Sequence, residues 1–275
     1  MKLLWTDQLA NLSTTYNVAR GQYGLFLIRY SGTAAAAYTV TTTDLGNVIF
    51  NWNGNDKINV DVDLLSQLGN VYGGAIESSS SVGGAFAFSI VIPTAAWFDS
   101  KNIYDISQGD SVYFKLDYPL LTAAKVASGS VSIYAKPRTG VMQYIHKILS
   151  KSVVSSGAGI ITDSLQVPNI IETYIKNPAA LISNLQLSKD NKLKVDGDTA
   201  SELAYSNWIH LLESSITLLA IEYAESMNVQ EANSNNLQYK FTFTGAGNLA
   251  HYYSAIEYTP QKTAESIANA KNSLQ

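Results

Sequence analysis

Along the first half of the chain, apolar and polar side chains alternate in short runs rather than recurring every third or fourth position. Gly24–Tyr30, Tyr38–Thr42, Asn47–Trp52, Lys57–Val62, Ala85–Ile92, Ser111–Tyr118 and Ser130–Lys136 each read as a β-strand. In the clearest of them Val112, Phe114, Leu116 and Tyr118 share one face and Tyr113, Lys115 and Asp117 the other, as expected of a strand with one side on a core. Turn chemistry separates the runs: Asn53-Gly54-Asn55-Asp56 and Gln108-Gly109-Asp110 supply residues that tolerate tight reversals, and 77–84 reads as a Ser/Gly-rich loop. The pattern changes after Pro137. Val141, Tyr144, Ile145, Ile148 and Leu149 fall at helical spacing, which predicts a linker helix ending in the small-residue stretch 155–159. The β-rich pattern then resumes.

An internal repeat organises the whole chain. Residues 55–68 align without gaps on 190–203, with identities at Lys57/Lys192, Val60/Val195, Asp61/Asp196, Asp63/Asp198, Ser66/Ser201 and Leu68/Leu203. A second correspondence places 112–118 on 237–243. The chain therefore reads as two copies of one β module: residues 1–137, a linker helix and loop over 138–156, and residues 157–275 with a C-terminal tail. In each copy of the repeated segment the second acid, Asp63 or Asp198, precedes a helix-favouring stretch, so both are read as helix caps, and 199–202 spells a capping box. The rival reading is calcium. Asp190, Asp196, Asp198 and Glu202 offer oxygen ligands, although the twelve-residue loop of an EF-hand is not spelled out.

Composition narrows the chemistry. There is no Cys among the 275 residues, which excludes disulfides, thiolate zinc sites and a cysteine nucleophile. A formal net charge of −4 leaves no cationic surplus for wrapping nucleic acid, so no direct nucleic-acid contact is expected. No apolar run is long enough for a spanning helix, and Asp7 interrupts any signal-peptide core. Charged residues make up 15% of the chain against an ordinary share of about 25%. Such depletion resembles the buried centre of a protein interface and points to extensive burial between subunits.

Catalytic patterns are scarce. His146, His210 and His251 lie far apart, with no metal-binding spacing, and 157–159 and 245–247 lack the context of phosphate loops. No catalytic, cofactor or metal site is assigned, with Asp196, Asp198 and Glu202 kept as calcium candidates. Trp5, Trp52, Trp97, Trp208 and the Tyr252-Tyr253 pair could build a sugar platform, but most aromatics sit inside alternating strands and read as core. Leu3–Leu12 and Val141–Leu149 are amphipathic and suit either segments resting on a membrane or a neighbour or helices packed on a barrel end.

In its duplication, module length, strand rhythm and local texture, such as Leu27-Ile-Arg-Tyr-Ser-Gly32 and Lys192-Leu-Lys-Val-Asp-Gly197, the chain resembles the double jelly-roll major capsid proteins of tailless icosahedral bacteriophages with an internal membrane, of corticovirus type. The resemblance spans almost the whole chain. It implies an all-β fold with short helices, made of two tandem eight-stranded jelly rolls. It further implies homotrimers of pseudo-hexagonal outline that tile a shell over a membrane, with neighbouring trimers, minor capsid or membrane proteins and the internal lipid as partners. Assembly in the bacterial cytoplasm into a virion, without catalysis or a cofactor, completes the expectation. A carbohydrate-binding or adhesin protein of two β-sandwiches is the alternative, and a β-sandwich enzyme comes third.

Overall fold

Two strands joined by Asn53-Gly54 show how closely the sequence dictates local structure. Both turn residues take positive φ, 53° and 82°, the backbone of a type I′ turn whose twist matches a β-ribbon. They connect β4 (Asn47–Trp52) to β5 (Asn55–Asp61), and β9 (Val112–Asp117) pairs on the other side of β4. With β2 (Ser13–Asn17) on the outer edge, one sheet runs β5-β4-β9-β2.

The facing sheet is built from β1 (Lys2–Gln8), β10 (Val126–Pro137), β3 (Gly21–Ala34) and β7 (Ala85–Pro93), in that order. Two short strands extend it, β6 (Ser78–Ser80) beyond β7 and β8 (Tyr104–Ile106) against the start of β3. Between the sheets an aromatic cluster forms the core. Phe114 meets Phe50 at 4.9 Å and Phe26 at 5.2 Å between ring centroids, and Tyr104 stacks on Phe50 at 5.5 Å. Each such ring contributes roughly 1.5–3 kcal/mol by leaving water.

The structure, a computed structural model, describes residues 1–9, 13–72, 77–96, 101–118, 121–122, 124–176, 181–189, 192–199, 218–222 and 237–272. It divides into one unit of Met1–His146 with Tyr258–Gln275, and a second of Lys147–Glu257. The second contains β12 (Gly159–Leu165), β13 (Ile170–Lys176), β14 (Ile182–Lys189), β15 (Lys192–Thr199), β16 (Leu218–Glu222), β17 (Leu237–Phe243) and β18 (Gly247–Tyr258), preceded by β11 (Tyr144–Ser155). Its sheets run β11-β18-β13-β16 and β12-β17-β14-β15.

Strand for strand, these are the orders of the first unit. β11, β18, β13 and β16 take the places of β1, β10, β3 and β7, while β12, β17, β14 and β15 take those of β2, β9, β4 and β5. In each unit the first, eighth, third and sixth of these strands form one sheet and the second, seventh, fourth and fifth the other, which is the jelly-roll order. The chain is a double jelly roll.

Register tests the duplication more finely. Trp52 pairs with both Asn55 and Val112, and Lys189 with both Lys192 and Leu237, so the two hairpins correspond. In the first hairpin the pairing steps from Asn51↔Asp56 to Phe50↔Ile58, and in the second from Ser188↔Leu193 to Leu187↔Val195. Each skips one residue, Lys57 or Lys194, so the same β-bulge sits at the same place in both copies. This corrects the gapless alignment of the repeat. Ile58 corresponds to Val195, whereas the alignment set Val60 there. Asp61 and Asp196 are not equivalent, since Asp61 closes β5 while β15 runs on from Asp196 to Thr199.

Other expectations also change. Residues 141–149 are not a linker helix: β11 is a strand, and the units divide after His146, with Tyr258 onward returning to the first. Leu3–Leu12 begins as strand β1, and the strand expected over Tyr38–Thr42 is loop leading into a 3-10 turn at Thr42–Leu45. Helix α1 (Val62–Tyr72) starts where expected, but its cap is Asp61, whose carboxylate accepts the Leu64 N–H at 2.7 Å. The reason is position: β5 ends at Asp61, so Asp63 already lies within the first turn, where it accepts hydrogen bonds from Thr42 Oγ1 and from Gln67 Nε2. Buried Leu64, Leu65 and Leu68 hold α1 to the barrel. Asp198 lies near the end of β15, and residues 200–208, where the second helix was expected, lie outside the described residues.

Candidate functional site

Among the described residues no group of three or more His, Asp or Glu gathers as a metal site would require. Of the calcium candidates, Asp196 and Asp198 are placed by their backbone in β15, and Glu202 and Asp190 lie outside the described residues. His210, Trp97 and Trp208 lie outside them as well.

The remaining histidines are both fully buried. His251 on β18 faces β12, where Asp163 Oδ2 stands 3.1 Å from its Nδ1. Lys151 of β11 reaches the other carboxylate oxygen. Burial alone would raise the Asp163 carboxyl, but hydrogen bonds from His251 and Lys151 outweigh it and hold the group below the ordinary carboxylate range. Burial lowers His251, and the neighbouring carboxylate only partly opposes this, so the ring is neutral at pH 7 and donates from Nδ1. Its Nε2 has no partner among the described residues, and the ring lies edge-on to Tyr239 at 4.4 Å and Phe241 at 5.8 Å. A carboxylate holding a histidine is a general-base arrangement, yet here the outer nitrogen points into an aromatic core and the residue has no exposed surface. The pair serves as core structure.

His146 at the start of β11 is bonded to the Pro93 carbonyl, and burial lowers its pKa to about 3. Its own carbonyl accepts the Tyr104 hydroxyl at 3.1 Å. Nearby, buried Asn102 donates to the carbonyls of Thr94 at 2.6 Å and Tyr144 at 3.1 Å, and accepts the Gln143 N–H at 2.8 Å. These bonds fix the chain where it leaves the first unit. Nothing in the sequence distinguishes Asn102 from a loop asparagine, since its partners lie on two remote segments.

Asp110 is the densest polar junction. It accepts Trp52 Nε1 at 3.3 Å, Asn53 Nδ2 at 3.1 Å, the backbone and hydroxyl of Ser107 at 2.9 Å, and Lys262 Nζ at 2.6 Å. Burial would raise this carboxyl, but the donors together, led by Lys262, pull it down to about 2. Lys262 belongs to helix α2 (Pro260–Asn272), so the junction latches the C-terminal helix to two loops of the first barrel.

The outer face of β1-β10-β3 carries Thr6, Ser31, Ser130 and Ser132, with Thr6 and Ser132 hydroxyls 2.9 Å apart and Leu3 50% exposed. Arg29 and Glu77, paired at 2.9 Å, lie on this face, with Lys136 at its end.

No family model matches the sequence, and no curated protein resembles it closely. The fold, in contrast, is shared with solved structures. The major capsid protein of bacteriophage PM2 superposes with a TM-score of 0.65 at 13% identity, over 95% of this chain and 96% of that one. A structure from Sulfolobus Turreted Icosahedral Virus gives 0.69 at 11% identity over 99% of each chain, and the PBCV-1 virus capsid gives 0.64 at 7% over 93% and 92%. At these identities the likeness establishes the double jelly-roll architecture.

Proposed function

We propose that the protein is a major capsid subunit of an icosahedral virus, a structural component of the virion without catalytic activity. The observation that carries this reading is the duplication of one jelly roll, strand order and bulge included, across the chain. Two similar barrels per subunit give a threefold assembly six similar faces, the outline needed to tile hexagonally around a shell. The charge-poor outer face of the first barrel suits packing between subunits and between trimers. Two of the superposed structures are a phage major capsid protein and a virus capsid, which supports the same role. The subunits assemble in a bacterial cytoplasm around an internal membrane, with minor capsid or membrane proteins beneath the shell. Sizing chromatography with light scattering tests the assembly: a trimer is expected, and a monomer persisting across concentration and salt would overturn it.

A further inference from the structure

Asn53-Gly54, the turn between β4 and β5, is the sole Asn-Gly step in the sequence, and both residues are exposed. In this dipeptide the Gly54 nitrogen can attack the side-chain amide of Asn53. The nitrogen gives its proton to hydroxide and bonds to Asn53 Cγ; the Cγ–Nδ2 bond breaks, and ammonia leaves with a proton taken from water. A succinimide remains. Water then adds to either ring carbonyl and opens it, to aspartate or to isoaspartate, so that amide and water become acid and ammonia. Glycine favours the attack because no side chain crowds the nitrogen. Nothing lies within 4 Å of the point where a side chain on Gly54 would begin, so the turn is open to the solvent that the reaction needs.

The folded junction restrains both reacting groups. Asn53 Oδ1 accepts the Ser111 N–H at 2.8 Å, and Nδ2 donates to Asp110 Oδ1 at 3.1 Å, which turns the amide onto the loop at 107–111. The Gly54 N–H donates to Asn51 Oδ1 at 3.0 Å, and buried Asn51 is itself fixed by Asp56 Oδ1 at 2.7 Å. A nitrogen engaged as a donor gives up its proton less readily. The clamp on Asn53 depends on Asp110, and Lys262 of α2 holds Asp110 in turn: its Nζ meets Oδ2 at 2.6 Å and also reaches the Ser107 hydroxyl. Beyond its first turn α2 is open to solvent at Ala264, Glu265 and Ile267. A helix with so little buried surface opens locally at low cost, and each opening loosens the clamp.

We propose that Asn53 is a deamidation site whose rate is governed by the docking of α2, protected while Lys262 holds Asp110 and converted when the helix leaves. The product carboxylate replaces a donor that now stands 3.1 Å from Asp110 Oδ1, and like charge disfavours re-forming the same junction. Undocking is thereby recorded as a covalent change. The inference stands independently of the capsid reading.

Full-length protein is incubated in mildly alkaline buffer. Conversion at position 53 is followed by peptide mass spectrometry, with isoaspartate scored by enzymatic methylation. The folded protein should convert at least about tenfold more slowly than the same protein in urea. Lys262→Met should speed conversion in the folded protein about tenfold, because the open fraction grows when the charge-assisted bond is lost. Asp110→Asn removes the same attraction from the other partner and should raise the rate to at least the same extent. The matched control is Lys125→Met, which takes from Asp44 of the same barrel a lysine 27% exposed and bonded at 2.8 Å, against 21% and 2.6 Å for Lys262. It should leave the rate unchanged. Conversion of the folded protein as fast as in urea, or equal rates in Lys262→Met and Lys125→Met, overturns the proposal.

Discussion

Tyr16 stands opposite Phe114 on β9, and Asp163 stands opposite Tyr239 on β17, so the two occupy the same place in their respective barrels. Tyr16 stacks on Trp5 at 5.7 Å, whereas Asp163 accepts His251 and Lys151. One module fills the site with an aromatic pair and the other with a charge-assisted network. Strand order and bulge position are held in common while core chemistry diverges, so the architecture depends on pairing register more than on any particular set of core residues. The central packing differs in the same sense. The first barrel concentrates Phe26, Phe50, Trp52, Tyr104 and Phe114, while the second mixes Tyr239, Phe241 and Phe243 with aliphatic residues and a neutral histidine.

The sharpest way to break this comparison is to empty the aromatic core. Phe50→Ala should cost about 4 kcal/mol in chemical denaturation, and the loss should fall on the first barrel, as read by hydrogen exchange of β3 and β9. Asp163→Ala should cost about 2 kcal/mol, because it leaves His251 Nδ1–H buried without its acceptor. Replacing both as Asp163→Val/His251→Leu should recover most of that loss, which a thermal melt would show. Acid should act on both barrels. His146 and His251 have folded pKa values below the ordinary histidine range, so the unfolded chain takes up their protons first and stability falls as pH drops below about 6.5. For His146 the decline continues towards pH 3. Denaturant midpoints measured across that range should fall less steeply for His146→Gln, with the residual slope carried by His251 and the carboxylates. The smallest effect is at the cap: Asp61→Ala should cost about 1 kcal/mol and fray the start of α1 in hydrogen exchange.

The strands that were legible in the sequence are those with one face on the core. The alternation at 112–118 became β9 because Val112, Phe114 and Leu116 are buried while their neighbours are half-exposed. The start of β11 read as helix because Tyr144, Ile145 and His146 are all buried, so both faces of the strand are covered and the period of two disappears. β1 was masked differently, by a register shift between Leu3 and Trp5 that breaks its alternation. The repeat was real but misaligned, because sequence identity at Val60/Val195 competed with the hairpin register. The buried polar groups were out of reach. Asp163 and His251 are separated by 88 positions, and no local pattern links them.

The latch at Asp110 has a consequence for the order of events during synthesis. Residues 1–146 emerge from the ribosome first and contain every strand of the first barrel, so that barrel can close while the second is still being made. Lys262 is translated only after the second barrel has been completed. Until then Asp110 keeps its loop donors but lacks the ammonium that tops the junction. Closure of the latch therefore follows synthesis of the second barrel, and a nascent chain stopped before Lys262 would lack the docked α2.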